Sequence, residues 1–255
     1  MSRPIPTSVP AALRANLDRV QREIAGALER SGRPAGAVRL VAVTKREPAA
    51  AFPLLADIGV TDVGESRVLA GLERRAGSPV AERLRWHLIG HLQRNKVAKA
   101  LRWADAIHSV DRLHLLDAID AAAVTAGRRV GVFLQVNVAG EATKGGFSPE
   151  RCREALTHAS SLDNLEVLGW MTMAPFDDNP EVSRLFFREL RQLRDDLNAL
   201  GIGSAPVRDL SMGMSGDYRV AVEEGSTHVR VGTALFHSVD WPDDGRDPVR
   251  ADPDL

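Results

Sequence analysis

Eight short apolar runs recur along this chain, and a helical stretch separates each from the next. The runs lie near residues 38–44, 61–65, 85–90, 106–110, 130–137, 166–172, 208–212 and 228–233. The helical stretches fall at 47–58, 66–77, 92–103, 112–127, 149–160, 179–200 and 217–224. Parallel strands need a crossover between them, and a helix is the usual one. Eight such units, with no break in composition, predict an α/β fold closed as a (β/α)8 TIM barrel. An open doubly wound sheet is the rival arrangement. In 179–200 the expected buried side carries Val182, Leu185, Phe186, Leu193, Leu197 and Leu200.

Before the first strand, Leu13, Leu17, Val20, Ile24 and Leu28 recur at helical spacing. They predict an extra N-terminal helix, ended by Ser31-Gly32-Arg33-Pro34, that packs outside the barrel or caps its bottom. The 255 residues fit one such domain. We expect a flexible segment over 1–8, the barrel over 9–238, and a polar, disordered tail over 239–255 that is rich in Asp, Pro and Gly.

Charge excludes some partners. A formal net charge of -1 gives no field that would gather nucleic acid or an anionic membrane. No run approaches the roughly 20 apolar residues of a membrane span. The single cysteine, Cys152, cannot form an internal disulfide and suits a reducing compartment. With no apolar leader at the N-terminus, the expectation is a cytoplasmic protein.

In a (β/α)8 barrel the functional groups stand at the C-terminal ends of the strands. Here those ends read Thr44-Lys45, Glu65-Ser66, Gly90-His91, Ser109-Val110-Asp111, Val136-Asn137, Thr172-Met173, Ser211-Met212-Gly213-Met214-Ser215-Gly216 and Gly232-Thr233. Together they describe a polar rim. Only four of the 33 basic residues are lysines: Lys45, Lys96, Lys99 and Lys144. Lysine can form an imine at neutral pH and arginine cannot. Lys45 follows an apolar strand directly, so it is either a rim lysine in a salt bridge or a desolvated amine ready to attack an aldehyde.

The small residues of 211–216 lead into a helix, and Gly232-Thr233 end the last strand at the same rim. Loops after strands seven and eight of this fold often hold phosphate; two ordinary tight loops would read the same. Arg230 interrupts an apolar strand. It either pairs with a carboxylate such as Glu65 or aims its cation at a ligand's ring nitrogen. His87 and His91 flank a strand end without the carboxylate pattern of a metal helix, so no metal is expected. Cys152 reads as structural.

Taken together, the segments Leu40–Lys45, Gly64-Glu65-Ser66, Trp86–Lys96, His108–Asp111, Gln135-Val136-Asn137, Gly169–Met173, Leu210–Asp217 and Gly225–Phe236 resemble the YggS/PROSC family of pyridoxal 5'-phosphate (PLP) homeostasis proteins. The resemblance runs from about residue 8 to residue 237. It implies a barrel of the alanine racemase N-terminal type and PLP held covalently as a Schiff base on Lys45. It places Arg230 near the pyridine nitrogen and Ser215, Gly232 and Thr233 around the phosphate, with Met214 a further cofactor-binding residue. Ser66 stands where the family carries asparagine, and it is the expected replacement contact. Gly90-His91-Leu92-Gln93 and Thr143-Lys144-Gly145-Gly146 also depart from the family pattern.

The implied role is a carrier and buffer of PLP without robust catalysis, a monomer whose recipients would be apo PLP-dependent enzymes. An arginine at the pyridine nitrogen weakens the ring as an electron sink. The alternative is a weak amino-acid racemase. Racemases of the related fold draw a tyrosine from a second domain of a partner subunit, whereas the only tyrosine here is Tyr218 and no second domain is apparent.

Overall fold

The computed structural model describes residues 6–141, 144–202 and 205–242. Eight strands form a closed barrel in chain order. They are β1 (Arg39–Val43), β2 (Asp62–Glu65), β3 (Arg85–Leu88), β4 (Ala106–Val110), β5 (Val130–Gln135), β6 (Leu165–Met171), β7 (Asp209–Ser211) and β8 (His228–Val231). Every neighbouring pair is parallel, and β8 closes onto β1 with Val41 opposite Arg230. Closure removes the open-sheet rival and leaves no unpaired strand edge.

The crossovers are α2 (Ala51–Asp57), α3 (Val68–Gly77), α4 (Val97–Ala100), α5 (Leu113–Ala126), α6 (Cys152–Ser160), α7 (Ser183–Ala199) and α8 (Tyr218–Glu223). The extra helix α1 (Ser8–Arg30) buries Leu13, Leu17, Val20, Ile24 and Leu28. It lies on the outside of the barrel against α8, where Arg30 pairs with Glu223 at 2.7 Å. α2 starts later than the sequence pattern, at Ala51. Pro53 falls in its first turn, where no backbone N–H is needed.

Two helices differ from expectation. The stretch 92–103 holds only a 3-10 turn at Arg94–Lys96 and the four-residue α4. The chain there turns inward to bury Trp103 against Gly71 of α3, where any Cβ would collide with the indole. α7 is present, but its buried face is Phe187, Leu190 and Leu197, while Val182, Leu185 and Leu200 are exposed. Phe187, Leu190 and Leu197 hold the three-and-four spacing of one stripe, and the outward apolar residues sit beside it.

Trp241 belongs to the segment expected to be loose. It is buried, and its Nε1 donates to Glu47 Oε2 at 2.6 Å. The rest of that segment, 243–255, lies outside the described residues, as do 1–5 and Thr143.

The barrel interior is unusually polar. Such interiors are mostly filled by branched apolar side chains. Here Asp62, His87, His108, Ser211, His228 and Arg230 are all buried together with Phe133. His108 stacks on Phe133 with centroids 4.2 Å apart, and His228 meets the same ring edge-on at 5.1 Å.

Candidate functional site

Lys45 leaves the end of β1 in a tightly held turn. The residue before it, Thr44, is fully buried. Its hydroxyl donates to Glu65 Oε1 at 2.5 Å, and its carbonyl accepts from Arg74 at 2.6 Å. Arg74 also pairs with Glu65 at 2.8 Å. A buried carboxylate needs such partners, and α3 supplies the guanidinium. Lys45 itself is half-buried. Among the described residues no hydrogen bond or ion pair engages its amine. Burial, then the cations of Arg46 and Arg67, hold its pKa below the ordinary lysine value, which favours the neutral, nucleophilic form. Lys144, by contrast, is tied to Glu141 at 2.8 Å.

The loops after β7 and β8 meet at Ser215. Its Oγ accepts from the backbone N–H of Gly232 at 3.2 Å and of Ala234 at 3.1 Å. Two backbone donors converging on one oxygen is the geometry that cradles an anion. Gly213 turns the first loop with φ +93°, and a Cβ there would lie 2.5 Å from Ala221 Cβ. Only glycine fits such a position without strain. α8 spans only six residues, and the Asp217 carboxylate accepts from Met214 N at 2.6 Å. The converging N–H groups of Gly232 and Ala234 thus form this corner of the rim together with a short helix. Gly232 packs against Val43, with its missing Cβ 3.3 Å from the Val43 carbonyl, which joins this loop to the strand that carries Lys45. Met214 and Thr233 are exposed at the rim.

At the end of β2, the Ser66 hydroxyl is buried and lacks a hydrogen-bond partner. A buried orphan of this kind calls for a ligand or water. Gly90 passes so close to the Ser66 backbone that any side chain would clash. The two histidines paired by spacing diverge. His87 turns into the barrel, while His91 stays at the rim, 3.5 Å from Asp111 Oδ2. Cys152 is buried at the start of α6, its thiol pushed up to about 12 by burial and then by Glu150.

Arg230 is buried and donates to Ser211 Oγ at 2.7 Å and to the Thr172 carbonyl at 3.0 Å. The Glu65 pairing considered from sequence is not made, because Glu65 turns to Thr44 and Arg74. Burial brings the guanidinium down to about 10, with Asp217 pushing the other way, so it remains charged at neutral pH. Beneath it, hydrogen bonds of 2.8 Å each link Ser211 to His108, His108 to His87 and His87 to Asp62. Asp62 also takes Thr61 at 2.6 Å and Arg39 at 3.1 Å. Burial would raise Asp62, but the bonds from His87 and Thr61 outweigh it and hold the carboxyl at about 2. Sequence reasoning missed this interior set. Its signal was a histidine placed third in each of two apolar strands, His87 in β3 and His108 in β4.

The rim thus offers an amine that no described residue engages, an orphaned hydroxyl, two backbone N–H groups that meet at Ser215 Oγ, and a buried cation that can only donate. That set fits a ligand with an aldehyde, a phosphate and an aromatic nitrogen. The class is a cofactor-type barrel, and a family model for the alanine racemase N-terminal domain matches residues 10–239. The chain is 41% identical over 220 residues to the pyridoxal phosphate homeostasis protein of Aquifex aeolicus, covering 86% of this chain and 95% of that one. It is 36% identical to the namesake of Pseudomonas aeruginosa, covering 89% and 95%. PipY of Synechococcus elongatus, solved with PLP bound, superposes with a TM-score of 0.75 at 33% identity, over 88% of this chain and 99% of that one. The chain belongs to the pyridoxal phosphate homeostasis protein family. No helix among the described residues is long and apolar enough to cross a membrane.

Proposed function

We propose that this protein binds pyridoxal 5'-phosphate at the C-terminal rim of the barrel as a Schiff base on Lys45, and that it carries and buffers the cofactor in the cytoplasm without robust catalysis. The observation that carries this reading is the Lys45 amine. It is half-buried, held without a partner among the described residues, and depressed in pKa by burial and nearby arginines. Ser215, Gly232 and Thr233, with Met214 beside them, surround the phosphate. Arg230 faces the pyridine nitrogen, and Ser66 supplies the contact that asparagine makes in the family.

The cofactor itself would supply a reactive aldehyde and an electron-accepting ring. The protein's own groups restrict the chemistry open to it. Arg230 remains protonated and donates, so it does not hand the ring nitrogen a proton. Tyr218, the single tyrosine, lies on α8 and gives its hydroxyl to Glu23 of α1 at 2.5 Å, on the outside of the barrel. Burial and then Glu23 raise its pKa, so it serves as no base at the rim. Reversible binding then dominates, and apo PLP-dependent enzymes are the recipients.

The test is the visible absorbance of the linkage, recorded on the wild type and on Lys45→Ala after incubation with PLP. A band in the wild type that is lost in the variant supports the reading. No band, or one that survives the substitution, overturns it. Sustained turnover of L- or D-amino acids in excess of protein would overturn the carrier role.

A further inference from the structure

Arg230 is a buried cation with no carboxylate in direct contact. An isolated buried charge is costly unless something compensates it. Asp217 acts on Arg230 only through space. The anion that hydrogen bonds connect to it is Asp62, which also pairs with Arg39 at 3.1 Å and opens β2 at the opposite, N-terminal end of the barrel. Ser211, His108 and His87 lie between them, joined by contacts of 2.7 to 2.8 Å.

The donors in this file can point only one way. A guanidinium cannot accept, so Ser211 accepts from Arg230; the Asp62 carboxylate at the far end only accepts too, and with both rings neutral that leaves the Ser211 hydrogen for His108 Nδ1. A neutral His108 then carries its proton on Nε2 and donates to His87 Nδ1. His87 in turn donates from Nε2 to Asp62 Oδ1, and the carboxylate only accepts. Burial keeps both rings neutral, and in His87 it outweighs the opposing pull of Asp62. An added proton on His108 would put a second cation beside Arg230.

We propose that Asp62 is a second counter-charge of Arg230 besides Asp217, reached through His87, His108 and Ser211 as a one-way file of hydrogen bonds, and that this file holds Arg230 as a fixed donor toward the cofactor's ring nitrogen. The four are positioning residues that act through Arg230, and their role toward the cofactor rests on the function proposed above. Aligned hydrogen bonds polarise one another in a low-dielectric interior, so removing either end weakens the whole file.

Histidine-selective 15N NMR on the protein without added PLP reads the file directly. His87 and His108 are expected neutral, each protonated on Nε2. Stopped-flow release of PLP into excess apo-enzyme reads the consequence. Asp62→Asn keeps an acceptor for His87 and deletes the charge, and Ser211→Ala breaks the file beneath Arg230. Each is expected to release PLP about tenfold faster. Ser211→Thr should restore the wild-type rate. Asp209→Asn, which alters a carboxylate opening β7 outside the file, should leave it unchanged. If Asp62→Asn does not fold, Ser211→Ala and Ser211→Thr at the other end carry the same comparison. Protonation of His108 on Nδ1 in a wild type that takes up PLP, or unchanged release from both variants, overturns this proposal alone. A wild type that takes up no PLP overturns the functional reading, and the proposal's ligand with it.

Discussion

The Thr44 hydroxyl donates to Glu65 Oε1 at 2.5 Å, and the next residue is Lys45. The Lys45 amine therefore hangs from a backbone that a buried carboxylate fixes. Thr44→Val keeps the shape and removes the donor. It should cost about 1–2 kcal/mol in urea unfolding and weaken PLP uptake in a spectrophotometric titration. Uptake as tight as wild type would show that the turn is held without this bond.

Arg74 bonds both the Thr44 carbonyl and Glu65. Arg74→Met takes the Arg74 guanidinium away from a carboxylate that is only 1% exposed. Breaking a buried pair from one side costs about 3–5 kcal/mol. Chemical denaturation should register a loss of that size, well above the loss from Thr44→Val.

Gly213 sits at φ +93°, with Ala221 Cβ 2.5 Å from where its own Cβ would be. Gly213→Ala therefore strains the loop and displaces Ser215. A penalty of about 1–3 kcal/mol is expected, a fall in melting temperature of about 3–10 °C for a chain of this size. PLP retention should fall more than in Ser215→Ala, which deletes one oxygen and leaves the backbone in place.

Acid should destabilise the protein through its interior histidines. Burial lowers His87, His108 and His228 below the ordinary histidine value, and His228 to about 3. Below about pH 6.5 the unfolded chain binds protons that the folded chain refuses, so stability falls as pH drops. The loss begins near pH 6.5 and, for His228, continues toward pH 3, at up to about 1.4 kcal/mol per pH unit for each histidine. Asp62 adds to it only below about pH 4, because its folded value is about 2. Melting curves at pH 7 and pH 5 should separate clearly. Coincident curves would contradict neutral burial of the three rings.

The strand pattern carried most of the architecture. Each apolar run became a strand because eight β-branched stretches, covered by helices outside, had to be buried on both faces. The rim followed from strand ends, so the positions of Lys45, Ser66 and Ser215 in the fold were legible in sequence. α7 was harder to orient: Leu185 and Phe186 sit beside Phe187, and periodicity could not choose among three adjacent stripes. The interior file was not legible at all. Ser211 and His108 are 103 residues apart, and barrel closure alone makes them neighbours. α4 was shortened by the tertiary demand of Trp103, which no local propensity records.

Trp241 donates to Glu47, two residues beyond Lys45. β8, which seals the barrel beside β1, also comes late in the chain. On the ribosome, Lys45 emerges nearly two hundred residues before the indole that pins its turn. The nascent chain thus carries an exposed, ordinary lysine through most of its synthesis. The desolvated setting of that amine needs strands from both ends of the chain, so the aldehyde capture proposed for it would arrive last, with the fold itself as the timer.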